Sequence, residues 1–139
     1  MPLLLLIRHG ENDYVKTGKM AGRLPGVHLN ERGQKQARAL GEALTDVPIK
    51  AIYSSPLDRA QETARPIADS HKLKIMTDIN LLDTDVGDWQ GKSLKSLQQL
   101  KAWQIVQKAP SRFTFPGGES FLFLQQRIVN MLEGVVKKH

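Results

Sequence analysis

The sequence predicts an α/β fold, a mostly parallel central sheet with helices on both faces, and three observations carry that expectation. Leu3-Leu4-Leu5-Leu6-Ile7 is apolar throughout without alternation, the pattern of a strand buried on both faces. A further short apolar run at residues 51–53 and a third short strand at residues 73–76 alternate with stretches whose apolar residues recur at helical spacing. The first run breaks off at Arg8, His9 and Gly10, so polar groups fall at the C-terminal end of the strand, where open α/β sheets bind ligands.

Taken in order, the elements follow from local chemistry. Arg8 carries a permanent fork-shaped cation suited to phosphate or carboxylate, and the His9 imidazole can act as nucleophile or base. Gly10 lets the chain turn and a ligand approach, and Glu11 follows it. Residues 12–28, with Gly18, Gly22, Pro25 and Gly26 and no helical period, read as a loop over the site, and Lys19 and Arg23 in it are candidates to reach the distal part of an anionic substrate. Asn30 is placed to cap a first helix with Ala37, Leu40, Gly41 and Leu44 on its buried stripe, and Pro48 ends that unit.

Residues 51–53 form the second strand and hand over to Ser55-Pro56, a cap followed by proline, with Ser55 and Asp58 at capping-box spacing. The helix from 56 to about 71 carries Arg59 in its first turns, where side-chain charge and helix dipole act together on an anion. Pro66 is expected to kink or break it near residues 62–65. A third strand at 73–76 is followed by Asp83, Asp85, Gly87, Asp88, Trp89 and Gly91, in which Asp83 and Asp85 compete for one role. Ser93 is expected to cap a helix to about 107. Pro116-Gly117-Gly118-Glu119-Ser120 starts a final helix whose buried face holds Phe121, Leu124, Ile128, Met131, Leu132 and Val135.

Length and composition bound the rest. A chain of 139 residues supports a single domain, 1–139. With 40% apolar and 24% charged residues it has the composition of an ordinary soluble globular protein. It has no cysteine, which excludes disulfides and thiolate metal sites. The longest apolar run is too short to span a bilayer or to form a signal-peptide core, so a cytoplasmic protein without membrane contact is expected. The net charge of +6 favours an anionic partner. The basic residues are scattered with few aromatics between them, which argues for a small phosphorylated metabolite and against nucleic acid.

The two stretches Leu6-Ile7-Arg8-His9-Gly10-Glu11 and Ser54-Ser55-Pro56-Leu57-Asp58-Arg59-Ala60-Gln61-Glu62-Thr63-Ala64 together resemble the histidine phosphatase superfamily, the phosphoglycerate-mutase-like proteins. Asp83 through Gly91 and Gly117-Gly118-Glu119-Ser120 resemble two further signatures of that family. The resemblance implies a three-layer phosphoglycerate-mutase-like sheet and phosphoryl transfer through a phosphohistidine on His9. Arg8 and Arg59 would neutralise the transferring group, and Asp83 would donate the proton. The substrate set would comprise Gly10, Glu11, Lys19, Arg23, Glu119 and Ser120, with no metal and no cofactor. Two departures stand out. The family usually carries glutamate where this chain has Asp83, and an asparagine where it has Val15.

A second catalytic histidine is usual on a later strand of the family. His139 follows Lys137-Lys138 with no strand before it and no glycine after it, so it lacks that context. The chain is therefore expected to be C-terminally incomplete relative to the family, with an exposed edge that a homodimer would cover. A phosphatase acting on a small phosphomonoester is the first reading. A phosphoglycerate mutase is its neighbour, and a non-catalytic phospholigand-binding module is the rival from another class.

Overall fold

The computed structural model describes residues 2–139. Two short parallel strands, β1 (Ile52–Ser54) and β2 (Ile75–Thr77), pair in the register Ile52 to Ile75, Tyr53 to Met76 and Ser54 to Thr77. The crossover between them is helix α3 (Asp58–His71), which packs on both strands and on α2 (Glu31–Ala43). Before them lies a one-turn helix, α1 (Asp13–Lys16). After them come α4 (Leu94–Leu97), α5 (Lys101–Lys108) and the long α6 (Phe121–Lys138). No helix among the described residues is long and apolar enough to cross a membrane.

Local chemistry accounts for most boundaries. Asn30 caps α2 by accepting from the Gly33 N–H, and Ala37 and Gly41 form its buried stripe. Ser93 and Ser120 cap α4 and α6 in the same way, accepting from Ser96 and Phe123. Asn12 does so for α1 inside the stretch expected to be loop only. Helix α3 starts later than its sequence suggested. Its N-cap is Leu57, and the Ser55 hydroxyl serves the Leu57 N–H from outside the helix, so no capping box forms with Asp58.

Pro66 does not break α3, which runs unbroken to His71. Its ring fits because α2 presents Gly41 there, where an added methyl would stand 2.8 Å from the Pro66 Cβ. The helix expected from Ser93 to about 107 is instead split in two, with Leu100 in extended conformation as the N-cap of α5.

Two apolar cores result. Ile52, Ile67 and Ala68 join Leu40, Leu44, Ile49, Ala64, Leu73 and Ile75 between the strands and α2 and α3. Val86, Trp89, Leu97, Phe113 and Phe115 form the second, with Met20, Trp103, Val106 and Phe121 packed on it. Three of its six ring pairs meet edge to face, among them Phe113 and Phe115 at 4.9 Å between centroids, a geometry that aromatic quadrupoles favour.

The largest departure from the sequence expectation is at the start of the chain. Residues 3–7 form no strand and no backbone hydrogen bond with other described residues, and Leu3 and Leu6 are 84% and 77% exposed. Unalternating apolarity predicts burial on both faces only where neighbours exist to bury it. Between residues 3–9 and β1 there is instead a cavity of about 1010 Å3, walled also by α3 and by Leu124, Ile128, Met131, Leu132 and Val135 of α6.

His28 ties the segment before α2 to α3. Its Nδ1 is paired with Glu62, whose second oxygen accepts from the Leu29 N–H at 2.8 Å. The Glu62 carboxylate, first by its hydrogen bond and then by its charge, raises the His28 pKa above the ordinary 6.5, and Asp58 adds to this. A pKa raised on folding stabilises the native state fully below the unfolded value and loses that contribution as pH rises through the folded value. The melting temperature of the wild type should therefore exceed that of His28→Gln by more at about pH 6 than at about pH 9. A difference that grows with pH would contradict this.

Candidate active site

Arg8, His9, Arg59 and Asp83 all line this cavity, although they come from three separate segments of the chain. The folding of each segment explains the meeting. Gly10 donates its N–H to Thr63 Oγ1 at 3.0 Å, and that hydroxyl donates to the Arg59 carbonyl at 2.7 Å, so the first motif is fastened to α3 one turn beyond Arg59. The start of α2 presses on the same segment. A Cβ on Gly10 would lie 2.8 Å from the Gly33 carbonyl, and one on Gly33 would lie 2.1 Å from the Glu11 carbonyl. Only glycine at both positions permits this approach of backbone to backbone.

The His9 ring is fixed by its own neighbourhood. Nδ1 lies 2.7 Å from the Gly10 carbonyl, which can only accept, so Nδ1 carries the proton. In the neutral ring the lone pair is then on Nε2. Arg8 is exposed at the cavity wall and has no ion pair among the described residues. Arg59 is 1% exposed, and its Nη2 donates to the Gly22 carbonyl and, at 3.1 Å, to Asp83 Oδ2. Arg59 Nε is buried without a partner among the described residues.

The two aspartates have different surroundings. Asp83 reaches Arg59 across the cavity wall, whereas Asp85 Oδ1 accepts from the Gly87 N–H and closes a turn. Gly87 has φ of 51° and stands where a Cβ would lie 2.2 Å from the Pro116 carbonyl. The loop bearing both aspartates is thereby seated on residues 116–118, with the Asp88 N–H bonded to the Pro116 carbonyl and the Glu119 N–H to the Asp85 carbonyl.

The remaining expected substrate residues lie outside the cavity wall. The Glu11 carboxylate accepts from Asn30 Nδ2 at 3.0 Å and faces Arg32, bracing the start of α2. Lys19 is exposed, and its backbone bridges to Ser93. Arg23 donates from Nε to the Asp83 carbonyl at 2.9 Å. Ser120 is occupied as the cap of α6. The N–H groups of Gly118 and Glu119 are bonded to the Phe115 and Asp85 carbonyls. His139 lines the cavity, with Nε2 hydrogen-bonded to the Tyr53 hydroxyl at 3.0 Å.

Sequence reasoning missed Arg127. It is nearly buried and forms a two-pronged pair with Glu119, from Nε at 3.1 Å and from Nη2 at 2.7 Å. Burial pushes the Glu119 pKa up, but the Arg127 and Asp85 hydrogen bonds and the charges of Arg127 and Arg23 together carry it below the ordinary 4.5. Helical spacing gave no signal for this pair, because its partner lies before the helix begins. No group of three or more His, Asp or Glu residues that could hold a metal ion occurs among the described residues.

This geometry has close counterparts. The model of the histidine phosphatase superfamily, branch 1, matches residues 4–139. The chain belongs to that superfamily. Phosphoserine phosphatase 1 of Hydrogenobacter thermophilus is 33% identical over 144 residues, which cover all of this chain and 66% of that protein. The metal-independent phosphoserine phosphatase of Arabidopsis thaliana is 34% identical over 98% of this chain and 59% of its own length. The solved structure of Bacillus stearothermophilus YhfR superposes with a TM-score of 0.86 at 32% identity, over 95% of this chain and 66% of that one. The histidine phosphatase fold expected from the two motifs is thus present, and the chain spans just under two thirds of the length of these relatives.

Proposed function

We propose that this histidine phosphatase is a metal-independent phosphomonoesterase that acts on a small phosphorylated metabolite through a phosphohistidine on His9. The observation that carries the reading is the His9 ring, held by the Gly10 carbonyl with Nε2 free, in one cavity wall with Arg8, Arg59 and Asp83. The phosphatase names of the two relatives agree with it.

The steps balance without further reagents. Nε2 of neutral His9 attacks phosphorus, the bond to the leaving oxygen breaks, and the Asp83 carboxyl gives that oxygen its proton. Water then attacks the phosphoryl group on His9, returns a proton to Asp83 and releases phosphate. Phosphoryl transfer asks chiefly for in-line positioning and neutralisation of the equatorial oxygens. Arg8 supplies one cation. The unpartnered Nε of Arg59 supplies a donor that a phosphoryl oxygen would satisfy. With such a substrate, and with no cysteine in the chain, a cytoplasmic setting fits.

The test is hydrolysis of p-nitrophenyl phosphate by this chain in excess chelator. Sustained turnover is expected. No turnover, or turnover that requires an added divalent metal, would overturn the reading.

A further inference from the structure

Asp83 has an aspartate's short side chain, so its carboxyl follows its backbone closely, with one methylene fewer to absorb an error. What holds that backbone is therefore part of how the carboxyl is aimed. The Asp83 carbonyl accepts from two guanidinium groups, Arg23 Nε at 2.9 Å and Arg127 Nη2 at 3.3 Å. Both cations share one carboxylate, Glu119, which lies 2.7 Å from Arg127 Nη2 and 3.6 Å from Arg23 Nη2. The same Glu119 oxygen accepts from the Asp85 N–H at 3.0 Å, and Arg127 Nη1 donates to the Asn80 carbonyl. One buried ion pair therefore grips the segment before, at and after Asp83.

We propose that the Glu119–Arg127 pair is a positioning device for the proton donor, setting where the Asp83 carboxyl meets the leaving oxygen. The pair stands outside the cavity wall, and its effect passes through the Asp83 backbone. A guanidinium is required, because its planar fork serves Glu119, the Asn80 carbonyl and the Asp83 carbonyl at once, whereas a lysine ammonium is a single point charge on a flexible stem. Two charges taken out of water are also a poor investment in stability alone. The inference rests on the reading of Asp83 as proton donor.

The experiment compares Arg127→Lys with the wild type on two substrates whose leaving groups differ in their need for a proton. An alkyl phosphate such as glycerol phosphate needs protonation of its leaving oxygen, whereas p-nitrophenolate leaves almost unaided. We expect kcat/KM, which reports only the steps up to transfer of the phosphoryl group to His9, to fall about 10²-fold on the alkyl phosphate and less than about threefold on p-nitrophenyl phosphate. Asp83→Asn should show the same pattern, and the double variant should lose no more than Asp83→Asn alone. The ratio of kcat/KM between substrates does not depend on how much of the variant is folded, so a simple loss of stability cannot imitate the result. Equal losses on both substrates, or none on either, overturn the positioning role and leave the phosphatase reading intact. Absence of wild-type turnover on both overturns that reading and this inference with it.

Discussion

His9→Ala should lower the hydrolysis of p-nitrophenyl phosphate by at least about 10³-fold, the scale of loss when a covalent nucleophile is deleted. The fold should survive. The His9 ring is bonded only to the carbonyl beside it, and the contacts that fasten this segment run through the Gly10 backbone, Thr63 and Gly33. The melting temperature is therefore expected to stay near that of the wild type, which separates loss of chemistry from loss of structure. A second readout is the trapped intermediate. Wild type quenched during turnover should carry one phosphoryl group, labile in acid and stable in base, that His9→Ala lacks. Wild-type rates in the variant would sink the assignment of nucleophile.

Arg59→Ala should act on both structure and catalysis. The side chain is almost fully buried, and its removal leaves the Gly22 carbonyl without that donor and Asp83 without its cation. A cavity together with a lost charged hydrogen bond points to destabilisation of about 2–4 kcal/mol. Deleting one donor to the transferring group should further cost about 10²–10³-fold in kcat, and by the same factor on every phosphomonoester, because the phosphoryl oxygens are common to all. Chemical denaturation and kcat on three unrelated substrates would check both parts. A loss confined to one substrate would mean that Arg59 reads the leaving group instead.

The positions legible in the sequence were those where residue type alone carries the chemistry. Arg8, His9, Arg59 and Asp83 stood out as charged or nucleophilic groups at motif spacing, and the fold brings all four to one cavity. The caps Asn30 and Ser93 were legible because capping is a contact over three residues. Where the deciding neighbour is distant in sequence, the reading failed. Pro66 leaves α3 unbroken, and the Gly41 that makes room for its ring lies on another helix. Arg127 sits on an exposed-looking helical position until Glu119 and the carbonyls of Asn80 and Asp83 close around it. Nothing in Gln98-Gln99-Leu100 announces the break between α4 and α5.

The unpaired residues 3–7 make activity and melting separable quantities in this protein. The segment that delivers the nucleophile adds no amide to any ladder, so the imidazole is registered from behind, by Gly10 on Thr63 and by Gly10 against Gly33. Local opening of such a segment takes far less free energy than melting the two cores. On warming, inactivation is therefore expected to run ahead of denaturation, following the anchorage of one glycine while the helices and the aromatic core are still intact.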